Sequence, residues 1–252
     1  VGHRPLACIR AAVRASLRCK GHHHAKEKLP PLPNPAPATI TDLHAGVVSN
    51  LITGGLVPAV KQTYNITLND IKGNSVALAN SIKDGTLTGD LFMSADASVN
   101  QTLMGSANDN WVDWFTVFAR NEVVLAYSPT GKFSTDFQQK PWYQVLEEGG
   151  VKLGRDDPNL DPLGYYDLFV AQLAEKFYRI PGLKQQILGA DNNPNQIINT
   201  NPTLLSNGTL DAEFMHINKA QDAGVPYVTF PDQLNLSKPR PGQLLRPGQL
   251  HH

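Results

Sequence analysis

The residues best placed for chemistry stand where apolar runs end and helices begin. Leu91-Phe92-Met93 is a short apolar run that ends in Ser94-Ala95-Asp96, and the aspartate is placed to cap the helix that follows. Ile40 to Gly46 runs in the same way into Val47 to Leu51, and Ile71-Lys72-Gly73-Asn74-Ser75 opens Val76 to Ile82. Small residues at a helix start leave backbone N–H groups without intrahelical partners, and the helix dipole adds partial positive charge there. Several such ends converging on one cleft hold an anion without a lysine. The pattern therefore offers anion recognition by hydrogen-bond donors rather than the making or breaking of bonds.

Catalytic chemistry finds little support. There is no H-E-x-x-H, no phosphate-binding P-loop, no G-x-S-x-G and no dinucleotide fingerprint. Asp156, Asp157 and Asp161 cluster, but in a loop that leads into a helix start at Asp161-Pro162, where an aspartate caps and a proline fits the first turn. A binding protein, with neither enzyme activity nor cofactor, is the expectation. Among the histidines, His44 is expected to support the first loop. His22-His23-His24 reads as a solvated tract, and His216 is either an imidazolium donor or a satisfied core residue.

The elements that must position these residues alternate. Val76 to Ile82 is a short helix stopped by Gly85. Glu122 to Tyr127 is β-branched and apolar, the pattern of a buried strand. Pro141 to Glu148 begins with proline at the first helical position. The helix from Pro162 to about Tyr178 carries Tyr165, Leu168, Phe169, Leu173 and Phe177 as its apolar stripe. Leu210 to Phe214 and Pro226 to Phe230 read as strands. Such alternation favours an α/β fold with parallel sheet.

Composition narrows the class. The 252 residues suffice for one or two domains with a proper core. Net charge is zero, which gives no footprint for nucleic acid. No apolar run approaches the roughly 20 residues of a membrane span, and no signal-peptide h-region opens the chain. The two cysteines, Cys8 and Cys19, lie in an arginine- and lysine-rich segment that ends in Pro30-Pro31-Leu32-Pro33. On one helix they would be about 16 Å apart, too far for a disulfide without a bend. Asn65, Asn100, Asn207 and Asn235 head N-x-S/T sequons, compatible with a secreted glycoprotein. The tail repeats Pro-Gly-Gln-Leu at 241 and 247.

A family resemblance joins these pieces. Leu43-His44-Ala45-Gly46, Gly73-Asn74-Ser75-Val76-Ala77, Phe92-Met93-Ser94-Ala95-Asp96 and Phe118-Ala119-Arg120-Asn121-Glu122-Val123-Val124-Leu125-Ala126-Tyr127 follow in order. So do Asp157-Pro158-Asn159-Leu160-Asp161-Pro162-Leu163-Gly164-Tyr165 and Leu234-Asn235-Leu236-Ser237. With these motifs the chain, from about Ile40 to Pro239, resembles the substrate-binding proteins of tungstate/molybdate ABC transporters. The resemblance implies an α/β, two-lobe type II periplasmic-binding-protein fold with central mixed sheets and an interlobe cleft. It implies a first lobe of residues 38–121 plus 226–240 and a second of 122–225. Crossings would fall near Asn121–Glu122 and Gly224–Tyr227. Residues 1–37 are a basic, proline-rich extension and 241–252 an irregular tail.

The implied function is capture of a tetrahedral oxyanion, tungstate or molybdate, by a monomer outside the cytoplasm, periplasmic or secreted. An ABC permease would be the partner in a bacterium. Carried over by motif, Ser94 and Ser75 and the backbone of Ala45, Gly46 and Val47 donate from one lobe. Asp161, a ligand of the oxyanion's metal centre in tungstate-type members, closes from the other with Tyr165 and His216. Three positions depart from the family. Val47 replaces a serine, Met215 stands where archaeal members have a coordinating glutamate, and His216 replaces a common tyrosine. A lost neutral hydrogen bond costs about 1 kcal/mol and a lost bond to a charged ligand roughly 1.5–3. Both losses together amount to about 100-fold in affinity. The alternative is a repurposed secreted binding or interaction protein of the same fold. Its cleft would be vestigial or take a different ligand, such as an organic anion or a metal held by His44, Glu213 and His216.

Overall fold

The computed structural model describes residues 36–198 and 200–237. The basic extension through Pro35, both cysteines, the histidine tract and the tail from Lys238 lie outside the described residues. The chain begins with β1 (Ala38–Ala45). A tight turn at Gly46–Val48 leads into α1 (Ser49–Leu51), a wide helical turn at Ile52–Leu56, and α2 (Val57–Tyr64). Then come β2 (Ile66–Gly73), α3 (Ser75–Lys83), β3 (Leu91–Met93) and α4 (Ala97–Gln101). The second half is built from β4 (Val123–Tyr127), α5 (Ser134–Gln139), α6 (Trp142–Glu147) and β5 (Leu153–Gly154). It continues with α7 (Pro162–Tyr178), α8 (Leu183–Leu188), α9 (Pro202–Ser206), β6 (Ala212–His216), α10 (Ile217–Ala223) and β7 (Tyr227–Thr229).

Two sheets organise these elements. The first has the order β2-β1-β3 and is parallel throughout. From β1 the chain moves to one side to form β2, then returns across to form β3. Connections leaving neighbouring strand ends in opposite directions open a crevice beyond their carboxyl ends. The second sheet has the order β5-β6-β4-β7 and is mixed. Within it β4 is antiparallel to β6 and β7, and β5 is parallel to β6. The elements around each sheet form a lobe.

The core lies mostly in the second lobe. All five residues of β4 are buried, because helices cover both sheet faces and a strand between them must be apolar throughout. Val123, Leu125 and Tyr127 pack with Trp142, Phe214 and Ala171 on one side. Val124 and Ala126 pack with Met215, Leu205 and Ala220 on the other. The first lobe has a smaller cluster of Ala79, Val99 and Leu103, with Phe92 and Val112 at its border.

Two expectations need correction. The described part of the segment 226–240, residues 226–237, does not join the first sheet: β7 pairs with β4. Phe230 and Leu234 sink into the second lobe's cluster beside Trp142, so burial of these two side chains decides the assignment. Gly224–Tyr227 is accordingly a turn inside that lobe, with Gly224 ending α10 at φ 63°. The second correction concerns α7. Its deepest face is Leu163, Gly164, Asp167, Leu168, Val170, Ala171 and Ala174, whereas Phe177 is 44% exposed. Small residues bring the helix backbone close to its neighbours, and the large aromatics are displaced to the flank.

Candidate ligand-binding site

The three strands of the first sheet end at Ala45, Gly73 and Met93. Ala45, Gly46, Val47, Asn74 and Ala95, at or just beyond these ends, line one cavity of about 70 Å³. The opposite wall comes from the second lobe: Asp156, Asp161, Leu163, Thr200, His216 and Lys219. The cavity thus sits beyond the carboxyl ends of parallel strands, where open α/β sheets take their ligands.

Of the residues singled out in the sequence, Ala45, Gly46, Val47, Asp161 and His216 stand on this wall. Ser75, Ser94 and Tyr165 do not, and each hydroxyl has a protein partner. Ser75 is fully buried, and its Oγ accepts from the Ala95 N–H at 3.0 Å. Ser94 Oγ donates to the Asp96 carbonyl at 2.7 Å. Tyr165 donates to Asp96 Oδ2 at 2.6 Å, while Asp96 Oδ1 accepts from Ser98 N–H and caps α4. These three side chains shape the turns behind the wall. The first N–H groups of α3 are also engaged, since Val76 and Ala77 both donate to the Leu160 carbonyl, at 3.1 and 3.3 Å.

Sequence reasoning did not select Asn74, Asp156, Thr200 or Lys219 as contacts. Asp156 was visible in the acidic cluster, and Lys219 follows His216 by three residues, nearly one helical turn. Thr200 offered no signal, because only folding brings it to Asp156. There its N–H donates to Asp156 Oδ1 at 2.6 Å, and its hydroxyl donates to Oδ2.

The charges on the wall are of both signs. Asp161 accepts from the Leu163 N–H at 2.9 Å as the cap of α7. Burial, with Asp156 nearby, pushes its carboxyl up to about 6. Burial also raises Asp156, against the two Thr200 hydrogen bonds that lower it. His216 is 6% exposed, and neither ring nitrogen has a partner among the described residues. Burial, with Lys219 close by, holds the imidazole down at about 4, so at neutral pH it is an uncharged ring.

Behind the wall, His44 Nδ1 donates to the Ala45 carbonyl at 3.1 Å, and its Nε2 lies 3.6 Å from Asp70. It supports the first loop from within the sheet. Met215 lies in an apolar cluster away from the cavity. Glu213 Oε1 accepts from the Asn201 N–H at 2.9 Å, and burial pushes its carboxyl up to about 8. Among the described residues no group of three or more His, Cys, Asp or Glu side chains is arranged to hold a metal ion. The site of His44, Glu213 and His216 weighed in the sequence is therefore not assembled.

Residues 51–249 match the family of bacterial extracellular solute-binding proteins. An uncharacterized solute-binding protein of Petrotoga mobilis is 34% identical over 151 residues, 58% of this chain and 46% of that protein. The molybdate/tungstate-binding protein WtpA of Pyrococcus abyssi is 27% identical over 194 residues, covering 68% of this chain and 56% of that protein. The chain spans about half the length of these relatives. Among solved structures, the sulfate-binding protein SubI of Mycobacterium tuberculosis is similar with a TM-score of 0.57 and 15% identity, over 76% of this chain and 71% of that one.

Proposed function

This chain belongs to the bacterial extracellular solute-binding proteins, and from that membership and the cavity we propose that it captures a small oxyanion, tungstate or molybdate, between its lobes. The fold is the two-lobe type II periplasmic-binding-protein architecture. One observation carries the reading: the turns after β1, β2 and β3 and the start of α7 face a single cavity. Backbone N–H groups of Gly46 and Val47 donate to the oxyanion from one side, and Lys219 supplies the wall's one lysine. Asp161 approaches the metal centre, which for tungsten or molybdenum accepts further oxygen ligands. The ligand shifts an open–closed equilibrium of the lobes toward closure, and the loaded protein delivers it to an ABC permease. The protein acts outside the cytoplasm as a monomer without a cofactor. In a glycosylating secretory route, Asn207 is the exposed sequon asparagine, while Asn235 is buried.

A second reading has its own support. Two carboxylates face the cavity, while the hydroxyls of Ser75, Ser94 and Tyr165 serve protein contacts. Such a wall also suits a small organic acid that brings its own hydrogen-bond donors to Asp156 and Asp161. A thermal-unfolding screen at pH 5.5 and 7.5 against tungstate, molybdate, sulfate, phosphate and hydroxy acids separates the two. A ligand at about 100 times its dissociation constant adds about 2.7 kcal/mol of stability, a shift of a few degrees at this size. A shift with tungstate and molybdate is the expected result. A shift confined to hydroxy acids would replace the oxyanion with an organic ligand.

A further inference from the structure

The lobes are joined beside the cavity by a short relay of side-chain amides. Asn121 lies in the crossing between the sheets, two residues before β4, and its Oδ1 accepts from the Glu122 N–H at 3.0 Å. Its Nδ2 donates to Asn218 Oδ1 at 2.7 Å. Asn218, on α10 of the second lobe, then donates through Nδ2 to the Val47 carbonyl of the first lobe at 2.8 Å.

An amide side chain has a donor end and an acceptor end of nearly the same shape, so its orientation is set by its partners. Here both ends of the relay are backbone groups with one possible role each. The Glu122 N–H donates only, and the Val47 carbonyl accepts only. The direction of all three hydrogen bonds follows. Asn218 also sits between two wall residues, His216 and Lys219, and the group it grips belongs to a third, Val47. One side chain therefore ties the two walls at the first loop and sets that loop relative to the cavity, beside the other lobe-to-lobe bonds of Tyr165 to Asp96 and of Val76 and Ala77 to Leu160. Opening the lobes breaks its bond to Val47.

We propose that Asn218 is the positioning residue of the cleft: oriented by Asn121, it latches the lobes and sets the first loop in its ligand-facing conformation. It does not contact the ligand. The binding arm of the test rests on the oxyanion reading, and the closure arm does not.

Asn218→Asp keeps the shape but offers only acceptors, opposing one oxygen to the Val47 carbonyl. Asn121→Asp reverses the other end of the relay, because its Nδ2 donor is lost. Asn50→Ala is the control: it removes an exposed lobe-to-lobe bond of 2.7 Å, to Asp222. The full chain, with Cys8→Ser and Cys19→Ser, would carry fluorophores at Lys83→Cys and Gln185→Cys, one in each lobe. In ligand-free protein, both Asp variants are expected to move the energy-transfer distribution toward an open state, while Asn50→Ala leaves it in place. Tungstate dissociation should accelerate at least tenfold in both, with association within about twofold and melting temperatures within a few degrees of the parent. An unchanged distribution in either Asp variant would overturn the proposal. So would a loss of binding that matches a loss of folded protein. If the parent binds no oxyanion, the proposed ligand is wrong, and the ligand-free distributions still decide the latch.

Discussion

At the level of single residues, the cleft uses groups whose ordinary ionisation is displaced by burial. Asp161 has two tasks, capping α7 and facing the cavity. Asp161→Ala removes the cap and should cost about 0.5–2 kcal/mol of stability. Asp161→Asn retains an oxygen at the Leu163 N–H and should cost almost nothing. In calorimetric titration at pH 7.5, Asp161→Asn should weaken tungstate about tenfold and strengthen sulfate, since sulfur takes no further ligand and the repelling charge is gone. Equal effects on both anions would remove Asp161 from the metal centre. Glu213 and His216 act in opposite directions on stability. With its carboxyl raised to about 8 in the folded chain, Glu213 contributes fully below its ordinary pKa of 4.5, and the contribution is lost as pH rises through 8. With its imidazole held at about 4, His216 contributes fully above its ordinary value of 6.5, and the contribution is lost as pH falls through 4. Glu213→Gln should therefore raise the melting temperature at pH 8.5 and leave it unchanged near pH 5. A rise of the same size at both pH values would show that packing, and not ionisation, is responsible.

At the scale of elements, the site depends on how closely α7 approaches the loop before it. A Cβ at Gly164 would meet the Asp156 carbonyl, the Asp157 carbonyl carbon and the Pro158 nitrogen, each at 2.5 Å. These are backbone atoms, so a methyl group cannot be accommodated by a rotamer change. Gly164→Ala must push the 156–158 loop outward and carry Asp156 away from Thr200. Overpacking of this kind costs about 1–3 kcal/mol, and ligand affinity should fall with it. Chemical denaturation and titration on the same sample check both effects. Full affinity in a folded variant would separate Asp156 from the site. The first turn of α3 shows the same dependence between elements, since its free donors are met by the Leu160 carbonyl of the second lobe.

For the whole molecule, the two lobes are unequal. The second has a large aromatic core around Trp142, Phe214 and Phe230. The first rests on a three-stranded parallel sheet with a small apolar cluster. Parallel sheets gain stability from cover on both faces, and local opening tracks the density of buried contacts. Native-state hydrogen exchange should therefore find the slowest amides in β4 and β6 and the fastest strand amides in β3. Ligand should add protection at the turns after β1, β2 and β3. Uniform exchange across both sheets would mean that the lobes open as one unit.

The alternating elements, the buried character of β4, the caps at Asp96 and Asp161, and the strand-end turns were legible in the sequence because each depends on neighbours within a few residues. Periodicity and capping are local physics. So was the family pattern, since its motifs keep their order along the chain. Other features depended on distant partners. β7 was drawn to the second sheet by burial of Phe230 and Leu234, and the aromatics of α7 yielded its inner face to smaller residues. Ser75, Ser94 and Tyr165 looked like ligand donors because their types and positions allow it. Folding gave each of these hydroxyls a protein partner, from Asp96 or Ala95. Thr200 reached Asp156 across 44 residues, and Asn218 reached Val47 across 171. Residue type determines what a side chain can donate or accept, but its partner is chosen by the packing of segments far apart in the chain. The kind of site was therefore written locally, and its membership was decided by the tertiary structure.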